Sequence, residues 1–151
     1  MKKYLLMAAA LLAATMTFTA CGDDDEKSEE AIEDIVSGKT KPTVTINETA
    51  DKIVMTAEWK NAYTEVHTAT FDSNGLLTSY TVASTYATDA LADAAWKAAQ
   101  EANGEDADLK VTRKGKTITA DYTKEYPEVN KDMMRSVFET IKKQYESMSG
   151  K

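Results

Sequence analysis

The chain has 151 residues, of which 18 are basic and 25 acidic, for a formal net charge of −7 at pH 7. An acidic surface repels phosphate backbones, which attract clustered Lys and Arg, so we expect no nucleic-acid partner. With one cysteine and one histidine, the chain can form neither an internal disulfide framework nor a Cys/His zinc cluster.

The first 20 residues have the layout of a secretory signal peptide. Lys2 and Lys3 give a charged start, residues 4–14 are apolar, and the small residue Ala20 precedes Cys21. This order of charged, apolar and small residues is typical of a leader that is removed on export. Cys21 would then become the first residue of the mature chain.

Residues 18–21, Phe-Thr-Ala-Cys, resemble the lipobox of bacterial lipoproteins, although Phe18 stands where that family usually has Leu. The resemblance implies that residues 1–20 are removed and that Cys21 is acylated. Each buried methylene contributes about 0.8 kcal/mol, and the several chains of a lipoprotein anchor suffice to hold a protein at the membrane. Loss of Lys2 and Lys3 leaves 16 basic against 25 acidic residues, a net charge of −9.

Two alternatives to the lipid anchor are an ordinary signal peptide and an uncleaved membrane helix. An ordinary cut after Ala20 would need a small residue at the position that Phe18 occupies. A spanning helix needs about 20 apolar residues, and residues 4–20 are fewer and include several threonines. We therefore favour the lipoprotein interpretation.

An acidic run follows the cysteine, made of Asp23, Asp24, Asp25 and Glu26. It resembles the export signal that sends lipoproteins of the Bacteroidota to the outer face of the outer membrane. The alternative is a solvated charge run in a disordered tether, and both can hold, because a sorting signal must be accessible. We expect a protein bound to the outer membrane through acylated Cys21 and facing the cell exterior.

Three regions follow from these patterns: a signal peptide over residues 1–20, an acidic disordered tether over 21–41, and a single domain over 42–151. The tether is free of aromatic residues and rich in acids. Its segment 29–36 could form one brief helix, which is too short to be stable alone.

The domain opens with strands in which apolar residues alternate. Alternation of period two places every second side chain on one face of a strand. It predicts strands near 44–46, 53–59, 63–71 and 76–84, with Asn74-Gly75 as a hairpin turn. The core candidates of the hairpin are Phe71, Leu76, Tyr80 and Val82.

Two helices and a second hairpin complete the domain. Thr88 is a plausible N-cap for a helix over 89–102, whose predicted apolar side is Leu91, Ala95, Ala98 and Ala102. A hairpin over 109–113 and 116–122 turns at Lys114-Gly115. Asn130 caps a last helix over 131–148, whose apolar stripe is Met134, Val137, Phe138, Ile141, Tyr145 and Met148.

The two hairpin–helix units are spaced alike, with Gly75 and Gly115 40 residues apart. The spacing suggests a possible ββα-ββα duplication, although any two hairpins followed by helices share this layout. Either way we predict an α+β fold, an antiparallel sheet of about five to six strands with two helices packed on one face.

His67 is the one residue suited to general-base catalysis near neutral pH. The strand pattern places it on the same face as Glu65, which could orient it. Such neighbours are common on strands, and no nucleophile motif accompanies them. We therefore predict no catalytic residues and keep a small enzyme using His67 as an alternative.

The acidic segments do not predict a metal site. Asp23 to Glu26 lack the spaced ligands and the central glycine of a calcium loop, and the acids of 105–108 fit a solvated turn. We expect no metal and no cofactor.

Trp59 and Tyr63 flank the turn at 60–62 and are a candidate platform for a sugar or a peptide. The competing interpretation, which we favour, places these rings in the core, since aromatic side chains dominate cores.

The sequence therefore predicts a lipid-anchored cell-envelope lipoprotein that serves as a non-enzymatic binding or accessory module. Its expected partner is another envelope protein or an extracellular polymer. An inhibitor-like domain, whose loops would block another protein's active site, is a further alternative that rests on architecture alone.

Overall fold

The computed structural model describes residues 42–103 and 110–147, with the side chains of 101–103 left out. The predicted signal peptide, Cys21, the acidic run Asp23 to Glu26 and most of the tether lie outside these residues. Leu109 and Met148, which the sequence places at element ends, also lie outside them.

Six antiparallel strands form one open sheet in the order β1-β2-β3-β4-β6-β5. The predicted α+β class is confirmed, and the strands are β1 Thr43–Glu48, β2 Lys52–Trp59, β3 Tyr63–Phe71, β4 Leu77–Tyr86, β5 Lys110–Lys114 and β6 Thr117–Asp121.

Alternation explains which face of the sheet carries the core. On β2, Ile53, Met55, Ala57 and Trp59 are buried, while the residues between them are half-buried or exposed. β3 repeats the pattern across its whole length. The opposite face is rich in threonine and small side chains, and Val66 on β3 and Thr119 on β6 are half-buried there.

Tight turns with positive φ angles close the hairpins. Gly75 has a φ of 78° between β3 and β4, and Gly115 has a φ of 61° between β5 and β6. Asp72 fixes the first turn, because its Oδ1 accepts hydrogen bonds from the backbone N–H groups of Asn74 (2.8 Å) and Leu76 (2.9 Å). Leu76 is therefore held in the turn, 44% exposed, and the prediction that it belongs to the core is wrong.

Two α-helices follow the hairpins, α1 over Asp89–Asn103 and α2 over Lys131–Ser147. Both predicted N-caps are confirmed: Thr88 Oγ1 accepts a hydrogen bond from Leu91 N, and Asn130 Oδ1 accepts one from Met133 N. A 3-10 turn over Thr123–Glu125 links β6 to the loop before α2.

Helix α1 is turned slightly from its predicted orientation. Its buried residues are Leu91, Ala92, Ala95 and Ala99, whereas the predicted apolar side has Ala98 in place of Ala92 and Ala99. The side chain of Ala102, also predicted there, lies outside the described residues. Alanine occurs on nearly every side of this helix, so its sequence defines the apolar stripe poorly. Ala98 is half-buried.

Helix α2 is oriented as its sequence predicts. Met134, Phe138 and Tyr145 are buried and belong to the same core as the inner sheet face and α1, so both helices pack on one face of the sheet. Glu48 of β1 holds the start of α2, because the Arg135 guanidinium donates to both its oxygens (2.9 and 2.5 Å).

The order of elements suits an internal duplication without establishing it, so the duplication stays a prediction. Across 42–103 and 110–147, we find no helix with the length and apolar character needed to cross a bilayer.

Candidate functional site

The inner faces of β3 and β4 carry polar side chains at the centre of an otherwise apolar surface. Glu65 and His67 are two residues apart on β3 and are 2% and 5% exposed. Ser84 of β4 lies opposite Glu65 in the strand register, and Tyr80 lies opposite Ala69. The period of the strand therefore places an acid, an imidazole and a phenol side by side inside the domain.

Three of these buried groups and one from α2 form a hydrogen-bonded cluster, which we call the Glu65 cluster: Glu65, His67, Tyr80 and Tyr145. His67 Nε2 contacts Glu65 Oε1, and His67 Nδ1 lies 2.7 Å from the Tyr80 hydroxyl. Tyr145 of α2 donates a hydrogen bond of 2.6 Å to the same Glu65 Oε1. The cluster thus joins two strands to the last helix.

The carboxyl group of Glu65 is ionised in this setting. Burial by itself raises its pKa, but the attraction of His67 and the hydrogen bonds from His67 and Tyr145 outweigh burial and lower the pKa below the ordinary value. A carboxylate only accepts hydrogen bonds, so Nε2 of His67 carries the proton between them.

The phenols of the cluster stay protonated. Burial, followed by the nearby Glu65 charge, raises the pKa of Tyr145 well above the ordinary value for tyrosine. Burial is also the largest cause of the raised pKa of Tyr80. Both hydroxyls can therefore donate hydrogen bonds at any physiological pH.

A cleft of about 650 Å³ opens beside the Glu65 cluster, between the two helices and the β4-β6-β5 half of the sheet. Its walls are mainly apolar, and they include Val82, Val111 and Ala120 from the sheet, Ala99 from α1, and Val137 and Ile141 from α2. The volume falls within the range of about 300–1,000 Å³ that small-molecule sites occupy.

The cleft has a closed inner end and an open rim. Glu65, His67 and Tyr145 line the inner part and are almost fully buried. Met133 lines the rim and is 51% exposed. An apolar space that ends on a few polar groups is the usual arrangement of a small-ligand site.

The predicted neighbourhood of Glu65 and His67 is confirmed, and both residues line the cleft. Sequence reasoning missed the two tyrosines that complete the cluster, since Tyr80 and Tyr145 were assigned to the core only. Tyr145 is 80 residues from Glu65, and its hydroxyl carries no local sequence signal of its partner.

The candidate platform of Trp59 and Tyr63 is wrong in the form predicted, because neither ring is available to a ligand. The two rings stack on each other, with centroids 4.5 Å apart and planes 8° from parallel. They are only 3% and 7% exposed, and Tyr145 packs edge-on against Trp59 at 5.1 Å. The favoured core assignment is therefore correct.

Potential metal ligands do not gather in the described part of the chain. Residues 42–103 and 110–147 contain no group of three or more His, Cys, Asp or Glu side chains that could hold an ion. The acidic run Asp23 to Glu26 lies outside these residues.

Comparison with known proteins adds no assignment. A scan against protein-family models and searches of curated proteins and of solved structures each return no match.

Proposed function

We propose that this protein is a lipid-anchored envelope module that binds a small apolar molecule in the cleft between α1, α2 and the sheet, without transforming it. The observation that carries the proposal is the 650 Å³ cleft whose inner end is lined by the Glu65 cluster. Membrane attachment through Cys21 and display on the cell exterior remain part of the proposal on the strength of the signal region.

The lining of the cleft supports binding of an alkyl or similarly apolar body. Val137 and Ile141 of α2 face the space across from Val82 and Ala120 of the sheet. Burial of one methylene between such walls contributes about 0.8 kcal/mol. A chain of several carbons therefore gives useful affinity before any polar contact is counted.

The hydrogen bonds of His67 support binding rather than catalysis. One ring nitrogen contacts Glu65 and the other lies 2.7 Å from the Tyr80 hydroxyl. A general base needs a nitrogen within hydrogen-bond reach of the substrate's proton, and both nitrogens here have partners within the protein. Tyr80 is a poor nucleophile, because burial raises the pKa of its hydroxyl well above the ordinary value.

Ser84 does not supply the missing nucleophile. Its side chain shares a hydrogen bond with Tyr86, whereas His67 is bonded to Glu65 and Tyr80. A serine nucleophile is activated by a base that accepts its proton directly. The cluster therefore fits a structural and binding role.

Photolabelling tests the cleft directly. The full chain, purified from membranes, is irradiated with an alkyl diazirine, and the labelled residues are mapped by mass spectrometry. We expect labels on the α2 segment around Val137 and Ile141. Labels confined to the threonine-rich outer face of the sheet would contradict the proposal.

A pair of neighbouring substitutions on β6 provides the matched control. Ala120→Phe adds a ring inside the cleft, whereas Thr119→Phe adds the same ring on the opposite sheet face. We expect Ala120→Phe to remove most of the α2 labelling and Thr119→Phe to leave it unchanged. Equal labelling in the two variants would show that the cleft is not the site.

A further inference from the structure

The inner end of the cleft holds a carboxylate oxygen that the fold does not use. Both hydrogen bonds that Glu65 accepts, from His67 and Tyr145, go to Oε1. Within the described residues Oε2 accepts none. In that part of the chain, Gln144 Oε1 is the one side-chain polar atom that is both fully buried and without a partner. Glu65 Oε2 also has no partner there, so it must keep some exposed surface, and Glu65 lines the cleft.

The charged group at the inner end of the cleft is the Glu65 carboxylate. No Lys or Arg from the described residues lines the cleft beside it. A ligand head group that reaches the inner end therefore meets an ionised oxygen that can only accept hydrogen bonds.

Resting on the proposed function, we propose that the ligand is an apolar molecule with a protonated amine, and that this amine binds Glu65 Oε2 at the inner end of the cleft. The ammonium group donates a charge-assisted hydrogen bond to the oxygen that the protein leaves unused. The apolar body then lies between α2 and the sheet. A carboxylate head group in the same place would face Glu65 as a like charge.

Competitors of the same alkyl length but with different head groups separate the contribution of the amine from that of the apolar chain. Decylamine, 1-decanol and decanoate compete with the alkyl diazirine for labelling of α2 in the full chain. We expect decylamine to compete at a concentration about tenfold below that of decanol, because the ammonium donor carries a charge opposite to that of Glu65 whereas the alcohol donor is neutral. Decanoate should be the weakest competitor.

The variant Glu65→Gln tests the assignment to one side chain, and Glu58→Gln on the exposed outer face of β2 is its matched control. The preference for the amine is the decanol concentration divided by the decylamine concentration that gives the same competition. This ratio should fall to about one in Glu65→Gln and stay at about ten in Glu58→Gln. Because each ratio is compared between variants, partition of the competitors into lipid cancels. If Glu65→Gln does not fold, the competition series on the wild-type protein still tests the amine proposal by itself.

The outcomes distinguish the two proposals. If the diazirine labels the cleft but the amine and the alcohol compete equally, or decanoate competes best, the amine proposal is wrong and the binding function stands. An unchanged ratio in a folded Glu65→Gln variant would also overturn the amine proposal. If the diazirine does not label the cleft at all, the binding function itself fails.

Discussion

The hydroxyl of Tyr145 lies 2.6 Å from Oε1 of Glu65, across 80 residues of chain. This contact ties the last turns of α2 to the middle of the sheet. It also holds the carboxylate that lines the inner end of the cleft. The same bond therefore stabilises the fold and positions the proposed ligand-binding group.

Tyr145→Phe removes that bond while it keeps the ring. Hydrogen bonds to charged groups are worth about 1.5–3 kcal/mol, so we expect the free energy of unfolding to fall by about that amount, measured by urea denaturation. Tyr63→Phe is the control, because the Tyr63 ring lies in the same aromatic cluster and its hydroxyl makes no hydrogen bond with the described residues. If the free energy of unfolding falls equally in both variants, the Tyr145–Glu65 hydrogen bond adds no stability beyond that of any buried tyrosine hydroxyl.

The ionisation of Glu65 makes stability depend on pH. Its pKa in the folded protein lies below the ordinary value of 4.5, so its contribution is fully present above pH 4.5 and is lost as the pH falls through the folded-state pKa. Unfolding free energies measured from pH 6 downward should decline below about 4.5. Glu65→Gln should show a shallower decline, and an unchanged slope would contradict the assignment.

The ion pair between Glu48 and Arg135 predicts a second acid-sensitive contact, on the surface. Hydrogen bonds from Arg135 and Lys131 lower the pKa of Glu48 to about 2. Its stabilising effect should therefore be lost between about pH 4.5 and 2, and added salt should weaken it, because exposed charges are screened. Thermal unfolding of the wild type and of Glu48→Gln at low and high salt measures this contribution. A loss of stability in Glu48→Gln that does not depend on salt would contradict the prediction.

The turn at Gly115 tests the backbone requirement of the second hairpin. Its φ is 61°, and a Cβ atom built there meets nothing within 4 Å. Gly115→Ala should therefore cost about 1–2 kcal/mol from left-handed strain alone. Gly115→Asn should cost less, because asparagine tolerates this conformation. Equal stability of the alanine variant and the wild type, by urea denaturation, would exclude strain at this turn.

Local patterns were enough to predict the strands, turns and caps. Alternation located Ile53 to Trp59 and Tyr63 to Phe71, and the glycines marked both hairpins, because these features depend on residues close in sequence. Leu76 was misplaced because the side chain of Asp72 holds it in the turn. Helix α1 was misoriented because its many alanines leave the packing surface undefined.

The candidate site could be predicted only in part. The period of β3 places Glu65 beside His67, so this pair could be predicted from the sequence. The contribution of Tyr145 and the cleft itself depend on how α2 crosses the sheet, which strand and helix periods do not encode. Trp59 and Tyr63 flank a turn in sequence, yet their rings stack on each other and Tyr145 packs edge-on against Trp59, so both lie in the core.

The most direct test of the account is to locate a bound ligand by nuclear magnetic resonance. Intermolecular Overhauser contacts are recorded between decylamine and the methyl groups of the protein. We predict contacts from the alkyl chain to Val137, Ile141 and Ala120, which line the cleft. Contacts only to Val66, on the opposite face of the sheet, or none to the cleft at saturating ligand, would contradict it.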